Sequence, residues 1–135
     1  MKFKTLDGKD RVVKNLKNSL IKWDAKSKSK LQQKVKLFLK SYWQGDVVFE
    51  EMRVAGTRLS LDFYNANKKI AIEVQGEQHF KFVPFFHNTR GSYLKQIKRD
   101  VKKIEFCELN KIQLVEIFPN DDLSQDFFEN LGVYL

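Results

Sequence analysis

The chain has a single cysteine, Cys107, in 135 residues, so no internal disulfide can form and a buried core must hold the fold together. That economy suits a reducing compartment, and a cytoplasmic location is the expectation. No apolar run reaches the roughly 20 residues needed to cross a bilayer. The lysine-rich first residues lack the apolar segment of a signal peptide, and no membrane partner is expected. Internal repeats and low-complexity tracts are also missing, which leaves a single domain over residues 1–135 as the expectation. Acids are the scarcer charge: 17 against 25 lysines and arginines, a net +8. A basic balance of this size suits a phosphate-bearing partner such as DNA, although solubility alone accounts for it equally well.

The most informative stretch runs from Leu59 to His79. Leu59, Leu61 and Phe63 alternate with Ser60, Asp62 and Tyr64; after the turn-forming residues 65–69, Ile70, Ile72 and Val74 alternate with Ala71, Glu73 and Gln75. Period-two alternation with β-branched residues predicts two strands joined by a tight turn. A register with Tyr64 opposite Ala71 sets Asp62 opposite Glu73. Like charges so placed destabilise a hairpin unless something positive lies between them. A divalent cation with oxygen ligands is one such partner, since Mg²⁺ is commonly held by one or two carboxylates plus substrate phosphates. The plainer alternative is a solvated polar face.

Around this hairpin the chain reads as helices and strands in the order αα-βββ-α-β-α, an α/β fold with a mixed sheet flanked by helices. Residues 1–8 read as a loose lead-in. Val12, Val13, Leu16, Leu20 and Trp23 have helical spacing, as do Leu31, Val35, Phe38, Leu39 and Tyr42, so residues 1–44 are expected to carry two helices, with Ser27 or Ser29 capping the second. Val47–Val54 predicts a strand in which Glu50 and Glu51 point to opposite faces. Ser92–Leu109 predicts the longest helix, buried along Tyr93 or Leu94, Ile97, Val101, Ile104 and Leu109. Lys95, Lys98, Arg99, Lys102 and Lys103 make it strongly basic. With Lys81, Arg90 and Gln96 they are the candidate contacts to a nucleic-acid backbone. Residues 112–118 predict a buried strand. The intervening helix permits parallel pairing within a core spanning 47–118. A short helix closes the chain within 119–135.

The motif Asp62, turn, Glu73-Val74-Gln75 resembles the PD-(D/E)xK nuclease superfamily, with Gln75 where lysine is usual. The glycine after Gln75, then His79 and the helical Arg99-Asp100, resemble the branch of very-short-patch repair and phage homing endonucleases with a Glu, Asp, His, Asp site. That resemblance implies a restriction-endonuclease-like core and Mg²⁺- or Mn²⁺-dependent hydrolysis of DNA. The metal would sit on Asp62, Glu73 and the Val74 carbonyl. It further implies site roles for Glu50 or Glu51, for Gln75, for His79 as general acid or base, and for Asp100 as its orienting partner. Lys68, Lys69 or Lys81 are candidates to replace the missing lysine charge. A homodimer is one way for such an enzyme to cut both strands. Rival readings are a non-catalytic nucleic-acid-binding module of the same fold, a junction-resolving or RNA-cleaving nuclease, and a structural protein of a phage particle.

Overall fold

The computed structural model describes residues 1–76 and 90–135; the side chains of residues 90–96 lie outside that description. Its centre is a four-stranded sheet in the order β3-β4-β5-β6. Strands β3 (Val48–Arg53), β4 (Ser60–Asn65) and β5 (Ile70–Val74) form an antiparallel meander, and β6 (Gln113–Ile117) returns parallel to β5. The connection from β5 to β6 contains the longest helix, α2 (Arg90–Leu109), because parallel neighbours need a long crossover. The mixed α/β character is as expected, and so is the order of elements among the described residues from residue 30 onward.

Two apolar layers cover the sheet. On one face α1 (Lys30–Trp43) and α3 (Gln125–Asn130) bring Val35, Leu39, Trp43 and Phe128 against Val48, Phe63, Ile70, Ile72, Val115 and Ile117. On the other, Phe106 and Cys107 of α2 pack with Phe3, Phe49, Met52, Leu61, Tyr64 and Ala71. Both α1 and α3 begin at a serine cap: the Gln32 and Phe127 amides donate to Ser29 Oγ and Ser124 Oγ. Each cap satisfies an amide that the first helical turn leaves without a partner.

The residues before α1 differ from expectation. In place of a lead-in and a helix there is a hairpin, β1 (Lys2–Lys4) with β2 (Asp10–Val12), followed by one 3₁₀ turn, Leu16–Ser19. Asp7-Gly8 makes the hairpin turn. Gly8 has φ 83°, and Thr5 bonds through its amide to the Lys9 carbonyl and through its hydroxyl to Asp7. An Asp-Gly turn is a stronger local signal than loose helical spacing, because left-handed φ at glycine costs little. In α1, Trp43 is buried and Tyr42 exposed, and Lys36 lies at 1 % exposure among the core residues. In α2, the apolar stripe Ile97, Val101, Ile104 and Leu109 faces outward, and Phe106 and Cys107 face the sheet. Among the described residues no helix is long and apolar enough to cross a membrane.

Candidate functional site

The β4–β5 ladder pairs Phe63 with Ile72 and Tyr64 with Ala71, which sets Asp62 and Glu73 opposite each other at the next step. There the ladder changes character. The Asp62 amide donates to Glu73 Oε1 at 2.9 Å, and the Val74 amide donates to Asp62 Oδ2 at 2.8 Å. Each carboxylate therefore caps a backbone amide across the strand gap. Both residues are 5 % exposed. The remaining oxygens face ammonium groups. Lys103 Nζ of α2 donates to Glu73 Oε2 at 2.8 Å, and Lys28 Nζ lies 3.3 Å from Asp62 Oδ1.

Burial dominates the ionisation of this pair. It raises Glu73 to about 7, helped by the neighbouring Asp62 charge and opposed by Lys103. Burial likewise raises Asp62, against the pull of the Val74 amide and Lys28. For Lys28, burial works to lower the ammonium, but Asp62 and Glu51 outweigh it and hold it above the ordinary range. Below the pair, burial pushes the Cys107 thiol up to about 12, with the Glu73 charge adding to it. This cysteine is a core residue and not a nucleophile.

Glu50 and Glu51 do not point to opposite faces. Glu51 has φ 57° in mid-strand, a left-handed conformation that costs a non-glycine residue about 1–2 kcal/mol. The twist brings both carboxylates to one amide: Gln32 Nε2 donates to Glu50 Oε2 at 2.9 Å and to Glu51 Oε1 at 3.0 Å, leaving the buried Gln32 Oε1 without a partner. It also breaks the alternation along both strands, so that Leu61 and Phe63 belong to opposite layers of the core. Glu50 further accepts from Ser27 Oγ at 2.6 Å and from the buried Lys36 Nζ at 2.9 Å. The β3–β4 register places Glu51 beside Asp62, and Lys28 Nζ lies 3.3 Å from Glu51 Oε1 as well as from Asp62.

Gln75 follows at the end of β5, 4 % exposed, its amide donating to the Ile117 carbonyl. Asp100 is half-buried on α2, one turn before Lys103. Lys98, Arg99 and Lys102 are exposed on the same helix, whereas Lys103 turns inward to Glu73. Arg90, Lys95 and Gln96 lie on α2 with their side chains outside the described set, and His79 and Lys81 lie outside the described residues altogether. Lys68 and Lys69 occupy the β4–β5 turn, at the opposite end of the hairpin from the acids. The compensating charge comes from Lys28 and Lys103.

Sequence reasoning missed Ser27, Lys28, Gln32 and Lys36. One signal was present: Gln32 and Lys36 are one helical turn apart and share the face of Leu39 and Trp43, an odd place for two polar residues unless they meet acids. Glu116 was missed too. It pairs in register with Glu73 across the parallel β5–β6 ladder.

Asp62 and Glu73 offer hard carboxylate oxygens, the donor type that Mg²⁺ prefers. Among the described residues no three acidic, histidine or cysteine side chains converge on one ion position. Two carboxylates are enough where substrate phosphate and water complete the shell.

No family model matches the chain, and neither does any solved structure. Three virus proteins are similar to part of it. "Uncharacterized protein 307L" of Invertebrate iridescent virus 6 is 36 % identical over 59 residues, 44 % of this chain and 30 % of that protein. "Uncharacterized protein 033L" of Invertebrate iridescent virus 3 is 31 % identical over 64 residues, 47 % of this chain and 33 % of that protein. "Uncharacterized protein 094L" of Frog virus 3 (isolate Goorha) is 41 % identical over 63 residues, 46 % of this chain and 41 % of that protein. The matched segments thus span between about a third and two-fifths of these relatives.

Proposed function

We propose that this chain is a metal-dependent phosphodiesterase with a restriction-endonuclease-like core, acting on DNA. The observation that carries the reading is the Asp62–Glu73 pair, two buried carboxylates side by side on antiparallel strands, with Glu73 raised to about 7. A pair so placed is costly to the fold, and perturbed acids of this kind concentrate at functional sites. The α-βββ-α-β order, with its parallel β5–β6 pair, agrees with the core that the resemblance to the PD-(D/E)xK superfamily implies.

Asp62 Oδ1 and Glu73 Oε2, the oxygens not tied to backbone amides, would hold Mg²⁺ or Mn²⁺, with the Val74 carbonyl at the same strand end. When bound, the ion supplies Lewis acidity toward a phosphoryl oxygen and an acidified water. The amides of Asp62 and Val74 keep the two carboxylates oriented. Lys28 and Lys103 hold them while no substrate is present and offer positive charge to a phosphate. Gln75 donates a neutral hydrogen bond where the superfamily has an ammonium. By the resemblance, His79, which lies outside the described residues, would take or give the proton, and Asp100 would be its orienting partner.

Nicking of supercoiled plasmid at low salt, with Mg²⁺, Mn²⁺ or EDTA, tests the reading. Metal-dependent nicking by the wild type, lost in Glu73→Ala and in Asp62→Asn, is the expected result. A panel of duplex, single-stranded and branched DNA and RNA then defines the substrate.

One observation favours a second reading, a binding module without catalysis. Lysine ammonium groups already neutralise both acids, at 2.8 Å from Glu73 and 3.3 Å from Asp62, and the superfamily lysine is replaced by Gln75. That module binds duplex DNA in EDTA and cuts no member of the panel with either metal.

A further inference from the structure

Beyond the acids, a second charged feature lies where the β1–β2 hairpin meets the turn between β3 and β4. An open cleft of about 540 Å³, lined by Lys9, Arg11, Gly56, Thr57 and Lys102, runs between them. It continues along Arg11 and Gly56 into a groove bordered by Arg53 and Arg58. Asp7 and Asp10 line the cleft as well: Asp7 accepts from the Thr5 hydroxyl and interacts with the Lys9 charge, and Asp10 lies 3.5 Å from Lys2 Nζ. Arg11, Arg53, Arg58 and Lys102 are exposed, and none has an ion-pair partner among the described residues. These four cations outnumber the two acids beside them, and a polyanion relieves the remaining repulsion.

The cleft is built into the fold. Gly56 has φ 79°, and a Cβ there would meet Thr5 Cγ2 at 3.3 Å, so the hairpin and the turn are packed closely enough to fix the two walls relative to each other. It also neighbours the acids. Arg53 is two residues beyond Glu51 on β3 and pairs with Ser60, two residues before Asp62 on β4. At about 3.3 Å per strand residue this is roughly 7 Å, about two steps of the 3.4 Å rise per nucleotide in duplex DNA.

We infer that this cleft binds the sugar–phosphate backbone of DNA on one flank of the Asp62–Glu73 centre, through Arg11, Arg53 and Arg58. The inference rests on the phosphodiesterase reading for its choice of ligand. The hairpin that replaces the expected first helix thereby becomes a clamp for the flanking strand, with arginine forks suited to phosphate oxygens.

The test is binding of a fluorescent duplex in EDTA, where no hydrolysis occurs, across roughly 50 to 200 mM salt. The groove variant is Arg11→Gln/Arg53→Gln/Arg58→Gln. A control variant, Lys14→Gln/Lys17→Gln/Lys22→Gln, removes the same charge from another exposed segment, and thermal melting checks that both are folded. The groove variant is expected to lose at least about tenfold in affinity at low salt. Its log–log salt slope should become shallower by about 0.9 for each phosphate it no longer neutralises, with the control slope unchanged. Equal slopes in the wild type and the groove variant overturn the inference, as does an equal change in the control. Loss of duplex binding to millimolar inorganic phosphate at constant ionic strength also overturns it, because the cleft would then be a site for a small anion. Failure to nick plasmid with the slope change intact sinks the phosphodiesterase reading and leaves the cleft standing.

Discussion

Two groups of acids sit on the same sheet and are treated in opposite ways. Glu50 is fully served, by Ser27 Oγ, Gln32 Nε2 and the buried Lys36 Nζ, all within 2.9 Å. Asp62 and Glu73 face each other at 5 % exposure, tied mainly to backbone amides and to lysines that are themselves at 61 % and 18 % exposure. A partly buried carboxylate satisfied by side chains from α1 and the segment before it joins them to β3. In the second group burial raises the pKa of both acids on neighbouring inner strands, so their charged forms are held at a cost. Burial alone does not separate the two groups; what separates them is that Glu50 is answered by an inward-facing lysine of α1, and Asp62 by a lysine that is largely exposed.

The largest expected effect comes from breaking the well-served group. Lys36→Met strands the Glu50 charge and should cost about 3–5 kcal/mol in denaturant unfolding. Lys36→Met/Glu50→Met, which removes both charges, should recover most of that loss and retain nicking. A double variant that folds and no longer nicks would move Glu50 into the site.

Next is the pH dependence of the other group. Glu73 has a folded value of about 7 against an ordinary 4.5, so its contribution to stability is fully present below 4.5 and is lost as pH rises through 7. The wild type should lose on the order of 1–3 kcal/mol between these limits relative to Glu73→Gln, whose profile should be flatter. Parallel profiles would mean that Glu73 is not the perturbed group. Added Mg²⁺ at pH 8 should raise the Tm of the wild type and leave that of Asp62→Asn/Glu73→Gln unchanged.

Glu51 sharpens the contrast at the smallest scale. Its φ of 57° predicts that Glu51→Val is destabilising by more than about 1 kcal/mol. Glu51→Gly relieves the backbone but gives up the Gln32 and Lys28 interactions, and should fall within about 1 kcal/mol of the wild type. Equal losses in the two variants would show that the side-chain interactions, and not the backbone, decide this position.

Much of the fold was legible because it depends on local chemistry. Alternation from Leu59 to Gln75 defined two strands, and the register supposed for them, with Tyr64 opposite Ala71, is the one the structure has. The long connection before Gln113 required a helix and permitted the parallel return. The first strand pair carries a local signal in Asp7-Gly8, which reading residues 1–8 as a lead-in passes over. What could not be read is whatever depends on which face meets which layer. The exposed Ile97–Val101–Ile104 stripe and the buried Lys36 run against apolar patterning. The convergence of Glu50 and Glu51 depends on a left-handed residue within a strand, which period-two reasoning does not allow for. Lys28 and Lys103 reach the acids from segments 34 residues upstream of Asp62 and 30 downstream of Glu73. The sequence by itself determined the two strands and the turn between them, because alternation and turn residues are local, and it offered the pairing of Asp62 with Glu73 as one register of that hairpin. Only the tertiary structure decided which cations answer those carboxylates and where a basic cleft opens beside them, because both arise where layers distant in sequence meet.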